Sequence, residues 1–141
     1  MSLLNVLGRL CFVAFFAMSA LNKFQDLEGS VEAAKSGNWH GIEIPDEQLP
    51  YLVAAAGALE AMGALAILFG GMWCGGWMII LFLAGVTPIM HWPLKQVNGV
   101  DTLDIPTLVH FMKNLTILGG ALMIAHPGTV AAAPKKKSKQ A

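Results

Sequence analysis

Residues Leu49–Gly70 read LPYLVAAAGALEAMGALAILFG, an apolar run whose only charged side chain, Glu60, stands near its midpoint. A helix that crosses the hydrocarbon core of a bilayer needs about 20 apolar residues, so this run is long enough to span a membrane. Three more runs of similar length and composition occupy residues 3–21, 72–92 and 107–125. The sequence therefore predicts an all-α fold, a bundle of four transmembrane helices.

The overall composition supports the same conclusion. Hydrophobic residues make up 55% and charged residues 13% of the 141-residue chain, whereas soluble domains carry about 25% charged residues. The helices of a soluble bundle also need a polar stripe that faces water, and runs 49–70 and 72–92 have almost none. A soluble four-helix bundle is therefore disfavoured.

The segments between and after the runs are too short for a second core. We predict one transmembrane domain, residues 1–125, in which the loop 22–48 contains a stretch of helical composition at 26–37. The tail, residues 126–141, is rich in Pro, Gly, Ala and Lys, and we expect it to be disordered because it has little apolar surface to bury.

The charges are segregated along the chain. Loop 22–48 holds six acidic residues against Lys23 and Lys35, while the tail holds four lysines and no acid. A lysine excess marks the cytosolic side of a membrane protein, and an even number of spans places both termini on one side. We therefore predict that the N and C termini are cytosolic.

The tail also bears on localisation. Lys137 and Lys139 stand fifth and third from the C-terminus, as in the dilysine signal that returns membrane proteins to the endoplasmic reticulum; such signals are addresses and not anchors. The alternative is a polybasic segment that leans on anionic lipid, worth about 1 kcal/mol per lysine. We favour the endoplasmic reticulum as the location, with a mitochondrial membrane as the alternative.

Three ionisable side chains lie inside predicted spans, where each costs about 2.5 to 3.5 kcal/mol. At a rise of 1.5 Å per residue, Glu60 lies roughly 15 Å and Lys113 roughly 10 Å below the non-cytosolic surface, and Arg9 roughly 9 Å from the cytosolic side. We predict that Glu60 pairs with Arg9, with Lys113 or with both. Such a pair either holds helices together or belongs to a polar site, lined also by His110 and Asn114, that binds an anionic or carbonyl-bearing ligand or relays protons.

Other polar features are weaker. Pro88 follows Thr87 near the end of the third span and predicts a helix kink there. His91 and His110 are expected near the same surface, but two histidines without a carboxylate pattern favour hydrogen bonding over a metal. We predict no metal, no cofactor and no catalytic residue. A role with nucleic acid is excluded, because the one basic cluster is the tail beside the membrane.

Several motifs together resemble one family, over roughly residues 8–125. They are Gly8-Arg9, Phe15-Phe16, Ser19-Ala20, Ile42–Asp46, Leu52–Ala56, Ala58-Leu59, Phe69-Gly70, Thr87-Pro88-Ile89, Lys113-Asn114-Leu115 and Gly120-Ala121-Leu122. On these motifs the chain resembles the plant hypersensitive-response-like (HR-like) lesion-inducing proteins, which are similar in architecture to the DoxX and surfeit-locus cargo-receptor group. It departs from the family where Trp92-Pro93-Leu94 and a short Asn98-Gly99 turn join the last two spans.

The resemblance implies a DoxX-like four-helix membrane bundle and a link to defence-associated cell death. It implies no reaction. We therefore expect a non-enzymatic membrane protein that acts through membrane or trafficking proteins, or through a homo-oligomer. The alternatives are a DoxX-like accessory subunit of a membrane oxidoreductase that contacts quinone, and a surfeit-locus-like cargo receptor.

Overall fold

The computed structural model describes residues 3–37 and 44–126. In chain order, these residues form α1 (Leu3–Gln25), α2 (Leu27–Lys35), α3 (Leu49–Leu68), α4 (Met72–Met90), β1 (Leu94–Val97), β2 (Val100–Leu103) and α5 (Ile105–Ala125). Helices α1, α3, α4 and α5 are each long and apolar enough to cross a membrane. The predicted four-helix transmembrane bundle is confirmed, and α2 falls within the stretch for which helical composition was noted.

Helix α1 is longer than the hydropathy pattern indicated. It continues to Gln25, four residues beyond the predicted end, and the Asp26 N–H still donates to the Asn22 carbonyl at 2.8 Å. The Asp26 side chain then accepts from the Gly29 N–H at 2.9 Å and caps the start of α2, as N-cap aspartates do. Lys23, assigned above to a loop, therefore lies in the last turn of α1.

Consecutive long helices are antiparallel. Gly70, with φ +100°, makes the turn between α3 and α4, a conformation that glycine adopts without strain. We call the end of the bundle that contains this turn, together with the start of α1 and the finish of α5, the turn end. The opposite end, which carries the β-strands, is the hairpin end. The cytosolic location of the turn end stays a prediction.

Two glycines of α4 bring the helix backbones unusually close together. A Cβ on Gly75 would lie 2.7 Å from the Gly63 carbonyl oxygen of α3, and one on Gly76 would lie 2.9 Å from the Ala125 nitrogen of α5. Small residues allow such contact between membrane helices, whose association depends on close packing. Helix α4 therefore sits between α3 and α5.

The core draws on all four long helices. Phe16 of α1 packs edge-on against Phe82 of α4, with ring centroids 6.2 Å apart. The remaining buried members of the cluster are Val13, Ala64, Ile67, Ile79, Leu83 and Ala121. Helix α5 contributes least, since its buried residues are Ala121 and Ala125.

A short β-hairpin joins α4 to α5 in place of the loop expected there. Strands β1 and β2 are antiparallel, and Asn98 (φ 54°) and Gly99 (φ 79°) form the two-residue turn. Positive φ at both turn positions is what an Asn-Gly hairpin turn requires. All eight strand residues are exposed, so the hairpin projects from the bundle.

Candidate functional site

A buried ion pair joins α1 to α3. The Glu60 side chain is fully buried, and its Oε2 accepts a hydrogen bond from Lys23 Nζ at 2.7 Å. Lys23 Nζ also donates to Ser19 Oγ at 2.7 Å and stands 5.6 Å from the centre of the Phe82 ring. The lysine side chain is 19% exposed. Glu60 is therefore neutralised from α1, by a lysine held in place by the serine one turn before it.

This pair corrects the prediction that Glu60 binds Arg9 or Lys113. The error came from ending α1 at Leu21, which placed Lys23 in the loop and outside the membrane. The i, i+4 spacing of Ser19 and Lys23 is a signal that could have identified the helix, because residues four apart lie on one helix face. A Cβ on Gly57, one turn before Glu60, would lie 3.4 Å from Cβ and Cδ of Lys23, so the lysine stem crosses α3 at this glycine.

Arg9 serves the other end of α3. Its Nη1 donates to the Ile67 carbonyl at 3.2 Å and its Nη2 contacts Met72 Sδ at 3.0 Å. The last four carbonyls of a helix have no partner within the helix. A cation at the C-terminal end of α3 therefore satisfies one of these carbonyls and is stabilised by the negative end of the helix dipole. Arg9 is thus a structural residue at the turn between α3 and α4.

Asn114 links α5 to α4. Its Nδ2 donates to Thr87 Oγ1 at 3.1 Å, just before Pro88. Helix α4 continues past Pro88 to Met90, and the His91 N–H donates to the Thr87 carbonyl at 3.0 Å. The predicted kink at Pro88 stays a prediction.

The two histidines expected near one surface meet at the hairpin end. The His91 and His110 rings stack with centroids 5.3 Å apart and planes 19° apart. Burial lowers the pKa of His91, which follows α4, below its ordinary 6.5, and the positive charge of His110 lowers it further. Among residues 3–37 and 44–126, no group of three His, Cys, Asp or Glu side chains could hold a metal ion.

At the start of α5, Asp104 caps the helix. It accepts hydrogen bonds from the Thr107 hydroxyl and N–H, and its Oδ2 lies 3.2 Å from Lys95 Nζ. The bonds from Thr107, followed by those from Lys95, hold the pKa of Asp104 below its usual value. The charge is thus stabilised at the surface, where water is also available.

Lys113 lies apart from all of these contacts. It is exposed on α5, about 80° around the helix from the buried Ala121 at 3.6 residues per turn. Of the five predicted site residues, the structure brings His110 and Asn114 to the contact between α4 and α5, places Arg9 at the turn end, buries Glu60 against Lys23 and directs Lys113 outward. They do not form one polar site.

A cavity of about 680 Å³ does lie beside the ion pair, among α1, α2, α3 and α4 near the hairpin end. Lys23 and Ser19 line it from α1, and Phe82 lines it from α4. Sequence analysis missed this cavity, because its boundary depends on how α2 folds back over the ends of the long helices. Lys137 and Lys139, the predicted retrieval signal, lie outside the described residues.

Comparison with known proteins identifies a family. The family model described as HR-like lesion-inducing matches residues 1–125, which include every helix of the bundle. Searches of the curated proteins and of the solved structures found no match.

Proposed function

This chain belongs to the HR-like lesion-inducing family, and we propose that it is a non-catalytic integral membrane protein that promotes defence-associated cell death by binding another membrane protein. The family description supports the link to lesions. One feature of the bundle supports the partner: the exposed lysine on α5.

Lys113 lies eight residues after the start of α5, about 12 Å along the helix axis at 1.5 Å per residue. A charge at the centre of a membrane helix costs about 2.5 to 3.5 kcal/mol. The long stem of lysine reduces this cost by reaching toward the headgroups. A carboxylate on a neighbouring helix would remove more of it.

The surroundings of Lys113 suit a second helix. The outer face of α5 consists of the exposed residues Val109, Met112, Lys113, Thr116, Gly119 and Met123. A Cβ on Gly119 would meet nothing within 4 Å, so this glycine is not required by packing inside the chain. Small residues and polar residues are both typical of helix contacts in membranes. The outer face therefore fits a transmembrane helix that carries Asp or Glu.

A second copy of this chain is a poorer occupant. Within the four long helices that the structure describes, Glu60 is the one acidic residue, and it is buried. A homo-oligomer through α5 would therefore bring two lysines together without a countercharge. The proposed partner is a different protein.

Co-purification in mild detergent tests the proposal. We expect a membrane protein with an acidic residue in a span to co-purify with the wild type and with Lys113→Arg, and to be reduced about tenfold or more with Lys113→Met, because losing one member of a desolvated charge pair costs 2 kcal/mol or more. Lys95→Met, outside the spans, is the matched control. The proposal would be contradicted if the partner protein were recovered equally well with Lys113→Met, or if Lys113→Met lost only co-purifying anionic lipid and no protein.

A cell-based readout ties the partner to function. We expect expression of the wild type in leaf tissue to cause electrolyte leakage, and Lys113→Met to cause less at equal protein level.

A second experiment tests the proposed location in the endoplasmic reticulum, with the tail in the cytosol. Changing Lys137 and Lys139 to serine should move a tagged copy out of the endoplasmic reticulum to later secretory compartments. A mitochondrial signal for the wild type would favour the alternative location.

The two alternative functions share this fold. A DoxX-like accessory subunit would co-purify with an oxidoreductase and show quinone-dependent redox activity, and a surfeit-locus-like receptor would co-purify with secretory cargo. The identity of the recovered partner therefore distinguishes all three.

A further inference from the structure

The cavity beside the ion pair has the features of a binding site for a small molecule. Its volume, about 680 Å³, lies in the range of about 300 to 1,000 Å³ that small-molecule sites occupy. Most of its wall is apolar, formed by side chains such as Val53, Leu59, Phe82 and Val86. An apolar wall of this size suits the body of a lipid-like molecule.

The cavity is continuous with the surface that faces lipid. Leu52 and Ala55 of α3 and Leu81 and Gly85 of α4 line it and are also exposed. Helix α2 covers the end toward the aqueous phase, where Asp26, Gly29 and Ala33 line the cavity. A ligand would therefore enter from the bilayer and not from water.

One polar group is positioned to select the ligand. The Lys23 ammonium has three donors. Two of them bind Glu60 and Ser19, and among residues 3–37 and 44–126 the further neighbour of this ammonium is the Phe82 ring, whose centre lies 5.6 Å away. Because Lys23 lines the cavity and is partly exposed, this third N–H can donate to a ligand oxygen.

The charges near the cavity decide which kind of oxygen fits. Glu60 already balances Lys23 at 2.7 Å, and Asp26 adds a negative charge on the cavity wall. A free carboxylate or phosphate would therefore meet no surplus of positive charge. This differs from the sequence prediction, which counted two cations for Glu60 and left an anionic ligand open.

From these observations we propose that the cavity binds a neutral amphiphile, with an apolar body among α1, α3 and α4 and a carbonyl or hydroxyl oxygen that accepts a hydrogen bond from Lys23. The site is separate from the outer face of α5. It does not depend on the protein partner proposed above.

Matched photoreactive probes test this on the full-length protein in vesicles. The probes are a long-chain fatty acid methyl ester, the corresponding free acid, and the corresponding alkane, each with the same photoreactive group on the chain. We expect the ester to label the protein about fivefold more than the acid or the alkane, the effect of one ordinary hydrogen bond. Labelled peptides should map to α1, α3 and α4 around the cavity.

Three variants separate the site from non-specific labelling. Ala55→Phe fills the cavity and should abolish the preference for the ester, whereas Ala17→Phe, at an exposed position of α1 that does not line it, should not. The double variant Lys23→Met with Glu60→Leu removes the polar groups together and should label equally with ester and alkane. Equal labelling of the wild type by all three probes, or a preference that survives Ala55→Phe, would overturn the proposal.

Discussion

The bundle contains two lysines at membrane depth, and the fold treats them in opposite ways. Lys23 is drawn inward, where Glu60 and Ser19 both lie 2.7 Å from its ammonium. Lys113 is exposed on the outer face of α5. A charge in hydrocarbon needs a partner or access to water. Lys23 finds its partner within the chain, whereas a partner for Lys113 would have to come from outside it. We infer that the first is needed for the fold, and we propose that the second serves binding.

Removing the inner lysine should have the largest effect. Lys23→Met leaves Glu60 buried without a countercharge, and we expect it to lower the free energy of unfolding by about 3 to 5 kcal/mol, the cost of breaking a buried pair. Thermal unfolding in detergent measures this loss. The double variant Lys23→Met with Glu60→Leu should recover most of it.

The matched outer variant is Lys113→Met. Substitutions at exposed positions usually change stability by less than about 0.5 kcal/mol, so its unfolding temperature should match that of the wild type. If Lys113→Met proved as damaging as Lys23→Met, the distinction between the two lysines would fail.

The same contrast applies to two glycines. Gly75→Ala would place a Cβ 2.7 Å from the Gly63 carbonyl oxygen and force α3 and α4 apart, and we expect a loss of about 1 to 3 kcal/mol from overpacking. Gly119→Ala, on the outer face, should leave the stability of the isolated protein unchanged. If Gly119→Ala also reduced the recovery of the partner protein, this result would support a partner contact at the outer face of α5.

A smaller effect is expected at the contact between α4 and α5. Asn114→Leu removes the 3.1 Å hydrogen bond to Thr87, and bonds between membrane helices average about 0.6 kcal/mol. The unfolding temperature should fall slightly, by less than for Gly75→Ala. A fall as large as that of Lys23→Met would indicate that this contact, and not the ion pair, dominates the polar interior.

The smallest effect concerns pH. Since the pKa of His91 is lowered in the fold, its contribution to stability is fully present above the ordinary pKa of 6.5 and is lost as pH falls through the folded value. Between about pH 8 and about pH 5, where histidine titrates, the wild type should lose more stability than His91→Gln. Equal losses in the two proteins would assign the pH dependence to other groups.

Much of the fold could be predicted from local sequence. The apolar length of run 49–70 identified α3, and the composition of 26–37 identified α2. Helix limits were less predictable, because an apolar run ends at the first polar residues, whereas the backbone hydrogen bonds of the helix continue beyond them. That is why α1 runs to Gln25 and carries Lys23 with it.

The site was less predictable for a geometric reason. Residue spacing along a helix gives depth in the membrane, and by depth alone Lys113 was a reasonable partner for Glu60. Depth says nothing about which helices are neighbours or how each is rotated about its axis. Helix α5 packs mainly against α4, and its lysine is exposed.

The sequence by itself determined that this chain forms four membrane-spanning helices and that a carboxylate inside them must be neutralised, because length, apolarity and the cost of a buried charge are local properties. Only the tertiary structure decided that Lys23 neutralises Glu60, that Lys113 is left on the surface, and that a cavity opens beside the ion pair. These outcomes depend on the order and rotation of packed helices, which close contacts such as those at Gly75 and Gly76 fix.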